Sequence, residues 1–305
     1  MQQSKNFCLL LSALLILSLF IGAASLIYNH FTHHYPFTIV PHHVISIFFI
    51  SFIFLGIFIF SRKIKNQMPV ASLFLKTLSR FYFIILILIV AGLAIQVTPF
   101  AAQNKILLQI DQVMHFHVLS LMQWTYSARW LAEFSWTIYL LLFPIVFITP
   151  LILALFNEEK QIDIYFSAFI LSLLIGYVIY YFFPTSSPAA VLKSSEFAFC
   201  QVQVVAQFQA MHHYHHVFHP CSGLIAFPSF HTVWVILIAY AFKNRKKIFY
   251  PVLIFSALVI FSTLATGWHF LIDVIGGIIL AAVSIYFVNA IASISTKTSF
   301  GRRAT

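Results

Sequence analysis

Hydrophobic residues in this chain come in long unbroken runs rather than at every second, or every third and fourth, position. Eight such runs cover roughly 7–28, 44–61, 81–100, 130–156, 163–183, 228–245, 248–267 and 269–291. Each approaches the ~20 residues that a helix needs to cross a hydrocarbon core. The last two are separated by little more than Gly267-Trp268, which predicts a tight reversal. Residues 101–129 instead alternate polar with apolar positions (Ile106, Leu107, Ile110, Val113, Met114, His117, Leu121) and predict an amphipathic helix on the membrane surface. Residues 29–43 are rich in histidine and proline, and 184–226 form the longest polar interval. The first run, with Lys5 before it and Gly22-Ala23-Ala24 inside it, also fits a signal peptide. Its length exceeds the usual ~7–15-residue apolar region, which favours a retained helix. The pattern predicts an all-α polytopic membrane bundle of about eight transmembrane helices, with no internal repeat and no soluble domain.

Composition agrees with the pattern. The 305 residues are 61% hydrophobic and 8% charged, whereas soluble domains are about 45–50% apolar and about 25% charged. The net charge of +10 at first suggests nucleic acid, but its distribution removes that reading. Alternating the spans places Lys5, Arg62, Lys63, Lys65, Lys76, Arg80, Lys160, Lys243, Arg245, Lys246, Lys247, Lys297, Arg302 and Arg303 on one side. Only Lys105, Arg129 and Lys193 fall on the other. Basic residues gather in cytoplasmic loops, so both termini are expected in the cytoplasm and no nucleic-acid partner is expected. Cys8 lies in an apolar run. Cys200 and Cys221 flank one polar loop on the expected outer side and are the only candidates for a disulfide.

Two histidines and an aspartate mark the expected outer ends of the last spans. His231 follows Pro228-Ser229, a helix-start signature whose free N–H groups and dipole favour an anion. There it can deliver a proton, or it can simply end a span at the interface. His269 and Asp273 are four apart, hence on one helical face. A carboxylate one turn inside a membrane usually pairs or serves a pathway. Accepting from one ring nitrogen, it would fix the His269 tautomer and leave the other nitrogen free, able to attack phosphorus; a purely structural pair is the plainer alternative. Met211 to His219 holds five histidines in a loop, too flexible to fix a metal geometry. An acid-sensitive loop and polar filler near headgroups remain open for it. Trp124, Trp130 and Trp136 suit an interfacial belt.

Phe-Pro-Ser-x-His at 227–231 and His-Phe-x-x-Asp-Val-x-x-Gly at 269–277 resemble the second and third signature motifs of the type-2 phosphatidic-acid phosphatase superfamily. The branch of fungal inositol phosphorylceramide synthase and its bacterial relatives is the most similar. Phe-Phe-Pro-Thr-Ser-Ser-Pro at 182–188 resembles that branch's first motif. The resemblance covers about 81–291 and implies a six-helix catalytic core. Residues 1–80 would add two helices and a basic loop, and 292–305 a short basic tail. It further implies that His269 attacks phosphorus, Asp273 orients it and His231 protonates the leaving oxygen, with no metal or cofactor. The implied partner is a lipid phosphate within the bilayer, met at the periplasmic or outer face of what would be a bacterial inner membrane.

The chain departs from the family where a phosphate is usually gripped. Thr263 stands where the commoner branch has an arginine six residues before the third-motif histidine, and Ala189 stands where the closer branch often has one. Lys193 and Arg129 are therefore candidate phosphate contacts, together with Thr185 and the backbone at Ser229 and Phe230. Hydrolysis is slightly favoured over transfer to an alcohol such as inositol or a sugar. An inactive lipid- or metal-binding relative and a transporter using Asp273 and the histidines as a proton relay are the remaining readings. The last would need further buried ionisable groups, for which only Glu133 is a candidate.

Overall fold

The structure, a computed structural model, describes residues 2–33, 41–215 and 225–301. Its helices are α1 (Gln2–His33), α2 (Pro41–Lys63), α3 (Pro69–Ile95), α4 (Asn104–Val113), α5 (Val118–Tyr126), α6 (Arg129–Leu155), α7 (Glu159–Phe182), α8 (Phe199–His212), α9 (Phe230–Ala241), α10 (Lys246–Ala265) and α11 (Leu271–Gly301). No strand occurs among the described residues. Seven of these helices are long and apolar enough to cross a membrane, and the chain is an integral membrane protein with an all-α fold.

The bundle is built around α7, buried at nearly every position from Gln161 to Leu174 and packed against α1, α3, α6, α9 and α11. A helix apolar on all sides is one that sits inside. By contrast α2 packs chiefly on α3 and leaves Phe48, Phe49, Phe52 and Phe60 exposed, as suits a helix facing lipid.

Polar contacts tie the helices at both ends of the bundle. At one end Lys76 Nζ meets Glu159 Oε1 at 2.6 Å, Arg80 Nη2 meets Asp163 Oδ1 at 2.7 Å and Arg245 Nη2 meets Glu158 Oε1 at 2.9 Å. These pairs join the starts of α3 and α7 to the α9–α10 turn. At the opposite end Gln103 N–H donates to the Pro184 carbonyl at 2.9 Å, Ser186 N–H to Asn104 Oδ1 at 2.6 Å and Phe227 N–H to Thr185 Oγ1 at 2.9 Å.

Two expectations need correction. The sixth span, expected over 228–245, is a helix of only 12 residues, Phe230–Ala241, too short to cross a ~30 Å core at 1.5 Å per residue. Its start is set by Ser229, whose side chain accepts from Thr232 N–H. Its end is a turn closed by Arg245 N–H on the Phe242 carbonyl at 2.8 Å, which sends the Arg245 guanidinium out over Phe156 and onto Glu158. The amphipathic stretch 101–129 is not one surface helix but two, α4 and α5, broken at His115 with φ of 57°. Leu107, Asp111 and Met122 are buried there, because α4 packs on α11 and α5 on α6 and α10. Separately, α11 runs as helix through Gly301.

Candidate active site

The candidate site is assembled where α9 and α11 begin. Ser229 N–H donates to the Asp273 carbonyl at 3.0 Å, so the first turn of one helix is bonded to the first turn of the other. This approach needs a missing side chain: a Cβ on Gly277 would lie 2.6 Å from the Ser229 carbonyl oxygen and 2.8 Å from Thr232 Cβ. Gly267 ends α10 with φ of +75°, the left-handed conformation glycine adopts without strain. Beyond it the backbone folds inward, with the Trp268 and His269 N–H groups both on the Thr263 carbonyl at 3.1 and 3.3 Å. That fold delivers the His269 ring to the start of α9.

The three residues singled out in the sequence meet in a line. Asp273 is fully buried, and its Oδ2 accepts from Phe270 N–H at 2.8 Å and lies 3.3 Å from His269 Nδ1. The other face of that ring puts Nε2 3.2 Å from His231 Nδ1. A carboxylate on Nδ1 makes that nitrogen the N–H, so His269 Nε2 carries the lone pair. The His231 Nδ1 facing it must then donate, which leaves His231 Nε2 without a proton. That nitrogen is buried and has no hydrogen-bond partner. Burial pushes His269 down to about 4, opposed by the Ala226 carbonyl beside the ring, so it is neutral at pH 7. The arrangement is an imidazole lone pair, on His269 Nε2, with a carboxylate behind the ring and the second histidine in hydrogen-bond contact in front of it. Such a nitrogen has the orientation that nucleophilic chemistry requires.

Aromatic rings wall the site. Tyr139 stacks on His231 at 4.5 Å and on Trp268 at 5.8 Å, while Phe143 meets His231 edge-on at 5.6 Å. Tyr139 and Phe143 come from α6, and reading the sequence did not connect these two rings with the chemistry.

The candidate phosphate contacts fare differently from one another. Thr185 is buried and acts as a stitch: its Oγ1 accepts from Phe227 N–H and its carbonyl from Ala226 N–H at 3.3 Å. The Ser229 N–H is already spent on Asp273, and Phe230 buries its ring against Tyr177 and Trp234. Arg129 is exposed and paired with Glu133 at 2.7 Å, and Lys193 is exposed; neither hydrogen-bonds to the two histidines or Asp273. Thr263 donates its hydroxyl to the Ile260 carbonyl at 2.8 Å. The Ser186 and Ser187 hydroxyls, in the stretch resembling a first motif, are buried without partners.

Asp111 was overlooked. Its carboxylate accepts from Leu271 N–H at 2.8 Å and Ile272 N–H at 3.0 Å, capping α11 one turn from Asp273. Burial raises its pKa, the two N–H groups oppose that, and the Asp273 charge adds to the rise. It is one of only seven acidic residues, and that rarity was the available signal. Gln201 similarly ties α8 to the reversal through the Thr266 carbonyl at 3.0 Å.

Cys200 is exposed with a free thiol, while Cys221 lies outside the described residues, as do His216 and His219 of the histidine-rich loop. Among the described residues no group of three histidine, cysteine or acidic side chains is placed to hold a metal ion.

A family model described as the PAP2 superfamily matches residues 105–287. The chain belongs to the PAP2 superfamily. No curated protein and no solved structure matched it. The PAP2 match begins within α4 and ends within α11, so it takes in both helices over the site, Asp111 and all three motif stretches. It supports phosphatase-type chemistry in the broad sense.

Proposed function

We propose that this PAP2 protein is a membrane-embedded phosphatase acting on a lipid phosphoester through a phosphohistidine. The observation that carries the reading is the continuous contact from Asp273 through His269 to His231. The substrate phosphate enters between the two histidines and displaces their mutual hydrogen bond. His231 Nε2 takes up a proton as that negative charge arrives, and His231 becomes an imidazolium. His269 Nε2 then bonds to phosphorus as the ester P–O bond breaks, and the leaving oxygen takes a proton from His231. Water attacks the phosphohistidine in the second step, giving its proton to the now neutral His231 and releasing inorganic phosphate and free His269. Asp273 holds the Nδ1–H throughout and steadies the positive charge on the ring.

The phosphate grip in this reading combines the Ser186 and Ser187 hydroxyls with solvent-side cations from Lys193 or Arg129. The sided distribution of lysine and arginine favours a site on the non-cytoplasmic face with cytoplasmic termini. Transfer to an alcohol, as in the inositol phosphorylceramide synthase-like branch, shares the first step.

The test uses purified full-length protein and a lipid phosphate labelled at phosphorus. Release of inorganic phosphate is expected, with an acid-labile label on the protein that is absent in His269→Ala. Turnover surviving in His269→Ala would sink the phosphohistidine. Label passing to added inositol in place of water would establish the transferase.

A further inference from the structure

A second cleft lies at the opposite end of the bundle from the histidines, where α1 and α2 diverge over α3. It encloses about 410 Å³ and is lined by Leu11, Leu15, Leu55, Phe58, Phe83 and Ile84, with Ser12 among them. Lys76, Arg80 and Asp163 close its end. Nothing in the proposed chemistry uses it.

The polar end is more basic than acidic. The lining holds two cations, Lys76 and Arg80, against one carboxylate, Asp163, and Lys65, from the α2–α3 turn, adds to the positive field at the neighbouring Glu159. Lys76 donates one hydrogen bond, to Glu159, and Arg80 one, to Asp163. An ammonium has three donors and a guanidinium five, so both cations keep donors for a further anion. Six apolar side chains therefore run up to a pair of cations with spare N–H groups and a net positive charge. Basic pockets between membrane helices bind anionic lipid headgroups on this pattern, and each lysine or arginine contributes about 1 kcal/mol near an anionic surface.

We propose that this cleft binds an anionic phospholipid, with its phosphate against Lys76 and Arg80 and an acyl chain lying along α1, α2 and α3. It is a structural or regulatory lipid site, separate from the catalytic end and independent of what that end does. The lipid fills the gap between two helices that otherwise meet mainly through α3, and so holds α2 to the core.

The test uses full-length protein stripped of lipid in detergent, titrated with dioleoyl phosphatidylglycerol or dioleoyl phosphatidylcholine. Bound lipid is counted by native mass spectrometry and the melting temperature is followed. Phosphatidylglycerol is expected to bind in preference and to raise the melting temperature. Lys76→Gln should weaken it about fivefold while leaving phosphatidylcholine unchanged. Leu15→Trp, which fills the groove, should abolish retention of both lipids without changing turnover. Should Leu15→Trp fail to fold, Lys76→Gln decides alone, because its side chain is partly exposed. Equal binding of the two lipids, or a Lys76→Gln profile identical to the parent, would mean ordinary surrounding lipid and overturn the proposal. Full displacement by inorganic phosphate would reassign the cleft to a free anion. Pairing of two chains on lipid removal would reassign it to a second copy.

Discussion

The two ends of this bundle use charge in opposite ways. At the basic end Lys76, Arg80 and Arg245 reach across helices to Glu159, Asp163 and Glu158. At the catalytic end Asp111 and Asp273 accept from backbone N–H groups and a histidine, and the ion pair described there, Arg129 with Glu133, stands exposed. One end fastens helices with opposite charges; the other keeps its carboxylates for the start of a single helix and its ring. A cation paired with Asp273 would compete with His269 for the carboxylate. On the proposed reading, the contrast separates what holds the bundle from what orients His269.

Neutral replacements should separate the two ends. The largest effect is expected from Asp273→Asn, which keeps the shape but loses the charge that orients and steadies the ring. Turnover of a labelled lipid phosphate should fall on the order of 10³–10⁴-fold, with the protein still folded by circular dichroism. Retained turnover would make the carboxylate merely structural.

Asp111→Asn comes next, with kcat lowered about tenfold through the loosened start of α11 and KM little changed. Because its charge acts on Asp273, the pH profile of kcat/KM should also move, a readout that simple loss of a cap would leave alone.

Arg80→Gln should reverse the pattern. It strands the mostly buried Asp163 and should lower stability by about 3 kcal/mol, with unchanged turnover per folded molecule. A loss of turnover without loss of stability would break the comparison. Lys76→Gln, in a half-exposed pair, should lower stability by under ~1 kcal/mol.

The pH dependence follows from His269. Its folded pKa of about 4 lies below the ~6.5 of an unfolded histidine, so its neutral form persists well below pH 6. The stability linked to it is present above about pH 6.5 and is lost as pH falls towards 4. The acid limb of kcat/KM assigned to His269 should accordingly lie near pH 4, and a limb near 6.5 that vanishes in Asp273→Asn would contradict the geometry.

Long apolar runs made the bundle legible, because a helix that must satisfy its own backbone in lipid writes itself as ~20 uninterrupted apolar residues. The i, i+4 spacing of His269 and Asp273 likewise made their contact readable. What escaped was everything set by packing between elements. Periodicity cannot show that Asp111, 160 positions from the N–H groups it accepts, caps the last helix, or that Tyr139 lies flat on His231. The length of α9 was misjudged because the helix was carried on through Arg245 to keep His231 from lying too deep, whereas the backbone turns from Phe242.

That short helix carries a consequence of its own. Beginning from the same end, α10 has 20 residues and α9 has 12, so at 1.5 Å per residue the first turn of α9 stops roughly 12 Å lower. His231 therefore stands on a ledge inside the bundle, below the level of the reversal at Gly267. On the proposed reading, the depth of that ledge sets how far a phosphate must descend before it meets His231.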